Sequence, residues 1–274
     1  MDVKRIAAFS IGGKGGNPAG VSLSAVLPDE REMQSIAYAV GYSETAFAAP
    51  IGDAWRVRYF APEMEVPFCG HATIALGTLL ARTHGDGVFR LHLNDGEITV
   101  EGHASGSLNA ALQSPPTLSR AAPTDLSAAA LELFTMTPDD LDPRLPPATV
   151  EAGARHLLLA LRSRERLATM DYNLVAGAEL MRAHGFATIA LVQAETASLF
   201  HARNAFAAGG VFEDPATGAA AAALGGYLRD VGWPHGGRIE IVQGEDMGQP
   251  CRLIVEIPPV IGASVRVSGE ARFL

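Results

Sequence analysis

Two stretches of this sequence, HATIALGTLL (His71 to Leu80) and TGAAAAALGGYL (Thr217 to Leu228), read as helices with no polar face. A helix that is apolar all round has to be buried on every side. Side chains as small as glycine and alanine let neighbouring backbones approach it closely. Strands wrapped around each helix meet both demands, and the rest of the sequence supplies them. Before the first helix, alternation predicts strands at Val3 to Phe9 and Val21 to Val26, a helix near Asp29 to Val40, and a strand pair in ETAFAAP and AWRVRYF. After it come VFRLHLN, GEITVEGH and SLNAALQS, the first two joined by an Asp95-Gly96 hairpin signal.

The segment from Ser114 to Pro147 is proline-dense with one helix, and so marks a boundary, giving halves at 1–113 and 114–274 with the last strand able to cross back. The second half reads as a strand HLLLAL, a helix near Tyr172 to His184, and strands TIALVQA and SLFHARNAF. A glycine-rich loop, the second apolar helix and the strands RIEIVQG, CRLIVEI and SVRVSG complete it. Both halves run helix, strand, strand, loop, apolar helix, then three strands, the mark of an internal duplication. The expected fold is α+β: two pseudo-symmetric halves, each a curled, mostly antiparallel sheet around a central apolar helix.

Composition narrows the partners. With 48% hydrophobic and 19% charged residues the 274-residue chain is globular in character. A net charge of -9 without a Lys/Arg run gives no basis for nucleic-acid or anionic-lipid binding. No apolar stretch approaches the roughly 20 residues of a membrane span. The start MDVKRIAAFS is too short in its apolar part for a signal peptide, and the two cysteines, Cys69 and Cys251, make no disulfide framework, so a cytoplasmic protein is expected. The GGKGG run lacks the residues of a phosphate loop and reads as a turn. Cys69 and His71 have no partner pair at zinc spacing, so no metal is expected.

Each apolar helix opens on glycine, proline and polar residues: PFCGH in the first half, EDPATG in the second. The first-turn N–H groups of such a helix, with the positive end of its macrodipole, favour an anion. Gly70, His71 and Ala72 at one mouth, and Asp214, Thr217, Gly218 and Ala219 at the other, are the candidate site residues. The expected site is a cleft where the two mouths face one another.

Four ordered motifs, GNPAGV, YSETAF, PFCGHATIA and EDPATGAAA, with QG at Gln243-Gly244, resemble the PhzF-type phenazine-biosynthesis family over essentially the whole chain. That resemblance implies the duplicated architecture of diaminopimelate epimerase and cofactor-free proton transfer. The best-understood member similar in these motifs isomerises trans-2,3-dihydro-3-hydroxyanthranilate without metal or organic cofactor. It also implies that Glu44 is the proton-shuttling carboxylate, with His71 and Asp214 as catalytic partners and Asn17 near the ligand. On the residues alone, Glu44 reads first as an ordinary edge-strand glutamate, His71 and Asp214 read as helix caps, and Asn17 as either a ligand contact or a turn former. One departure bears on substrate: Ala219 stands where the family has a serine. The expected partners are a small anionic substrate and a second copy of the chain in a homodimer. Rival readings are an amino-acid-type racemase or epimerase and a non-catalytic binding protein on the same fold. Two-thiol racemisation is disfavoured, because the position matching Cys69 at the second mouth is Pro215.

Overall fold

The N-terminal hairpin shows how the glycine loop is used. Strands β1 (Lys4–Ser10) and β2 (Asn17–Leu23) pair antiparallel, with Ile6 opposite Ala19. Between them Ile11 and Lys14 exchange both backbone hydrogen bonds around Gly12 and Gly13, whose φ values of 54° and 77° are those of a tight left-handed hairpin turn. GGKGG is therefore turn chemistry. The computed structural model describes residues 2–94 and 96–274, and Asp95, with its hairpin signal, lies outside the described residues.

The chain divides into two units: Met1–Gln113 with Gln249–Arg252 and Val267–Leu274, and Ser114–Gly248 with Leu253–Arg266. In the first unit β2 is followed by α1 (Glu30–Val40), β3 (Thr45–Ile51), β4 (Ala54–Phe60), the two-residue β5 (Glu65–Val66) and α2 (Gly70–His84). Strands β6 (Gly87–His92), β7 (Glu97–His103) and β8 (Asn109–Gln113) come next, and β17 (Arg266–Phe273) returns at the end of the chain. The ladder runs β1-β2-β3-β4-β6-β7-β8. Strand β17 pairs with both β8 and β1, which closes the ladder into a ring.

Two steps of the ring, β2–β3 and β4–β6, are parallel, and a parallel step needs a crossover connection. Helix α1 makes the first crossover. Asp29 is the cap that opens it, accepting from the Glu32 N–H at 2.9 Å. Its Met33 and Ala37 pack on Phe47 and Phe60, whose rings meet edge to face. Helix α2 makes the second crossover and touches β1, β2, β3, β6, β7 and β8. It is buried continuously from Gly70 to Ala81, as a helix apolar all round requires. Glycine makes the enclosure tight: a Cβ on Gly102 of β7 would lie 2.2 Å from the carbonyl oxygen of Gly77 in α2.

The second unit holds β9 (Leu118–Ala121), α3 (Thr124–Leu133), β10 (Ala148–Glu151), β11 (Arg155–Leu161), α4 (Arg164–Ala168) and α5 (Leu174–His184). After these come β12 (Thr188–Ala194), β13 (Leu199–Ala205), β14 (Glu213–Asp214), α6 (Gly218–Asp230), β15 (Arg238–Gln243) and most of β16 (Cys251–Glu256). The proline-dense stretch Ser114 to Pro147 holds the expected helix, α3, and also the unexpected strand β9, which pairs with β10 just beyond it; β10 in turn pairs with β11. Parallel steps recur at β11–β12, crossed over by α4 and α5, and at β13–β15, crossed over by α6. Leu157, Leu159 and Leu161 of β11 join Leu126, Leu131, Ala178 and Met181 of α3 and α5 in one apolar core. Helix α6 packs against β9, β10 and β11 and is buried from Ala220 to Arg229. Gly226 is required there, because a Cβ would meet the Thr117 side chain at 2.5 Å. Among the described residues no helix is long and apolar enough to cross a membrane.

Strand alternation sends His156 to the face opposite that apolar core. His156 is 1% exposed, its Nδ1 lies 2.8 Å from the Thr188 hydroxyl, and that hydroxyl donates to Asn204 Oδ1 at 3.0 Å. Thr188 spends its one proton on Asn204, so the ring must donate from Nδ1. Burial pushes the His156 pKa down to about 4 from 6.5. Between those values the unfolded chain takes up a proton that the folded chain refuses. Stability is therefore full above about pH 6.5 and falls by about 3 kcal/mol as pH drops to about 4. Urea unfolding across this range should show the stability gap between wild type and His156→Gln shrinking as pH falls; parallel profiles would contradict this.

Candidate active site

The first mouth is built where β5 turns into α2. Cys69 occupies the cap position in extended conformation and makes no side-chain capping bond, so the N–H groups of Gly70, His71 and Ala72 have no acceptor within the helix. The cap itself is braced from below. The Thr73 hydroxyl donates to the Cys69 carbonyl at 2.7 Å, and the Tyr59 hydroxyl donates to Thr73 at 2.7 Å. Burial pushes the Tyr59 phenol well above its ordinary range, which keeps it a neutral donor.

Glu44 enters from the start of β3, held by the parallel ladder: the Gly20 N–H donates to the Glu44 carbonyl at 3.2 Å. The residue is 8% exposed, and its Oε2 is buried without a hydrogen-bond partner. His71, 4% exposed, brings Nε2 to 3.5 Å from that oxygen, an electrostatic contact longer than a good hydrogen bond. The Ser43 hydroxyl stands 3.4 Å from the same nitrogen, and Cys69 Sγ lies 3.3 Å from His71 Nδ1. An imidazole protonated on Nε2 accepts the thiol proton at Nδ1 and points its own proton toward Glu44. The row thiol, imidazole, carboxyl is a path along which a proton can be held or moved.

The second mouth is tied by side chains. The Thr217 hydroxyl donates to Asp214 Oδ2 at 2.6 Å. Gln243, buried on β15, donates to the Asp214 carbonyl at 2.6 Å and to the Thr217 hydroxyl at 3.1 Å, and accepts from the Thr217 N–H at 3.2 Å. One amide thus fixes both ends of the Asp214–Thr217 turn. Thr217 caps α6 without a side-chain bond to the helix, which leaves the first-turn N–H groups from Gly218 onward without intrahelical acceptors. Beside it Glu213 is clamped by Arg203, whose Nε and Nη2 reach its carboxylate oxygens at 2.5 to 3.1 Å. Burial pushes the Glu213 carboxyl up, and the guanidinium fork pulls it back.

Of the candidate residues, Glu44, Gly70, His71 and Ala72 gather at the first mouth, and Asp214, Thr217, Gly218 and Ala219 at the second. Asn17 is buried at the start of β2, three residues before the Gly20 that holds Glu44. Neither His71 nor Asp214 is the cap residue; those places belong to Cys69 and Thr217. Gln243 was legible only as half of the QG motif, and its role comes from three bonds that cross the unit. Cys69 and His71 have no partner pair at zinc spacing, but one further donor joins them from outside their motif. Glu44 supplies a third donor, and one ligand atom from each of the three lies within 4.8 Å of the others. Linear spacing cannot reveal a ligand carried in on another strand.

Comparison with known proteins places this geometry. The model of the PhzC-PhzF family, described as phenazine biosynthesis-like protein, matches residues 6–274. An Escherichia coli O157:H7 protein named uncharacterized isomerase YddE is 32% identical over 84% of this chain and 80% of its own. The crystal structure of a PhzF-family phenazine biosynthesis protein from Bacillus anthracis superposes with a TM-score of 0.86 at 22% identity, covering 100% of this chain and 98% of that one. A Pseudomonas aeruginosa structure described as a predicted epimerase gives 0.85 at 27% identity, covering 99% and 96%. The fold is thus the epimerase-like α+β arrangement with mixed sheets.

Proposed function

Because the chain belongs to the PhzC-PhzF family of phenazine biosynthesis-like proteins, we propose that it is a cofactor-independent isomerase that moves a proton on a small carboxylate-bearing substrate. Glu44 is the general acid and base, with His71 and Asp214 assisting. The observation that supports this reading is the Glu44 carboxyl: buried, one oxygen without a partner, and close to an imidazole. In the reaction its carboxylate takes the proton from a carbon of the substrate as that C–H electron pair delocalises. The resulting acid then returns the proton to a different carbon. The first-turn N–H groups at each mouth, Gly70 to Ala72 and Gly218 to Ala219, have no intrahelical acceptor and are assigned to anionic oxygens. Asn17 is assigned to the substrate as well. Ala219 offers no hydroxyl where the resemblance expects a serine, so the preferred substrate is one that does not need that contact. The recurring order of parallel crossovers supports reading the two units as copies of one ancestor.

A second reading, a racemase acting on an α-carbon, draws on the Cys69 thiol at 3.3 Å from His71. It lacks a second thiol, since Pro215 follows Asp214. Incubation with a panel of aromatic, hydroxy and amino carboxylates in deuterated water, followed by proton NMR, tests both. The isomerase should wash deuterium into the reprotonated carbon of a rearranged product. Deuterium at an inverted α-carbon without rearrangement would favour the racemase. Binding without any exchange would leave a non-catalytic protein.

A further inference from the structure

The Glu44, Cys69 and His71 donors form a set that no acid-base role requires to be so mixed: one hard carboxylate oxygen, one soft sulfur and one imidazole. We infer that this cluster is a binding site for a thiophilic divalent cation such as Zn2+ or Co2+. Two atoms carry the inference. The first is the sulfur of Cys69, a residue 7% exposed, whose Sγ lies 3.3 Å from His71 Nδ1. The second is Glu44 Oε2, buried and without a hydrogen-bond partner, with the His71 Nε2 at 3.5 Å.

The three donors lie near enough to converge on one ion after side-chain rotation. Sulfur, nitrogen and oxygen ligands sit about 2.0 to 2.3 Å from zinc, so tetrahedral ligand atoms are about 3.5 Å apart. The pairs Cys69–His71 at 3.3 Å and Glu44–His71 at 3.5 Å already have that separation, though through opposite ring nitrogens. A single ion uses one of those nitrogens, and the third donor, within 4.8 Å, then closes by side-chain rotation. Binding exchanges the thiol proton for the metal: the S–H bond breaks, the sulfur lone pair bonds the cation and the proton leaves to solvent. Three protein ligands leave a fourth position open, unlike a closed structural site. The consequence for turnover rests on the proton-carrier reading of Glu44, since a carboxylate bound to metal cannot take up a proton; the binding itself does not rest on it.

Cobalt reports the site without any substrate. Titration of tag-free protein with Co2+ should give a thiolate-to-cobalt charge-transfer absorption that saturates at one equivalent and is displaced by Zn2+. Cys69→Ser should abolish that band, and Cys251→Ser, at the other buried cysteine, should retain it. Glu44→Gln and His71→Asn should each weaken affinity beyond the roughly 10- to 100-fold cost of losing an outer-sphere partner. These two variants test the site even if the serine variant folds poorly. A missing band, a band that survives Cys69→Ser, or affinity indifferent to Glu44 and His71 would overturn the inference. If cobalt binds as expected but deuterium exchange continues undiminished in the loaded protein, the proton-carrier role fails while the metal site stands.

Discussion

Glu44→Gln is expected to lower turnover by about 10²- to 10⁴-fold, the usual worth of a positioned general acid or base. The amide keeps the size of the carboxyl and can donate to the space beside His71, but it cannot carry a proton back and forth. Folded stability should change by only about 1 kcal/mol, the scale of a single hydrogen bond, because the carbonyl of residue 44 still accepts from Gly20. Deuterium incorporation should fall together with turnover, as both need the same exchanging proton. Cys69→Ser is the informative companion. If it abolishes turnover while Glu44→Gln leaves it near normal, the thiol is the base and the carboxylate mechanism is wrong.

Arg203→Met is expected to destabilise the protein by about 3 to 5 kcal/mol, the cost of leaving one member of a buried ion pair without its partner. Arg203 and Glu213 are both buried, and the Arg203 Nη1 also donates to the carbonyls of Ala168 and Met170 at 2.9 and 3.4 Å. The single substitution strands a carboxylate and two carbonyls together. Replacing Glu213 by Leu in the same chain removes the stranded charge and should restore much of the loss, since apolar pairs often substitute for buried ion pairs at little cost. Chemical denaturation of the single and double variants checks both statements; a double variant no better than the single would show that the carbonyl contacts dominate. The pair adjoins Asp214 on β14, so the single variant should also loosen the Asp214–Thr217 turn and weaken substrate binding.

Much of this molecule was legible in its residues because the informative features are local. An all-apolar helix states its own burial, and glycine at 12 and 13 states its turn, so α2, α6 and the N-terminal hairpin followed from composition and spacing. Motif order singled out Glu44, His71 and Asp214 as candidates. Elements whose stability is borrowed were harder to read. Strands β9 and β10 are four residues each, set among prolines, and exist because β11 completes their ladder. The closure of the first ring through β17 depends on a strand from the far end of the chain.

What the sequence determined by itself was therefore which helices must be enclosed and which mouths stay polar, since both follow from side-chain hydrophobicity along one continuous segment. Only the tertiary structure decided what meets at those mouths. Gln243 reaches Asp214 and Thr217 because β15 runs beside β13, and Glu44 reaches His71 because the parallel β2–β3 step sets it at the end of α2. Hydrogen bonds and donor clusters of this kind are fixed by sheet register between distant segments, and register is a property of the assembled ladder that no single stretch of chain encodes.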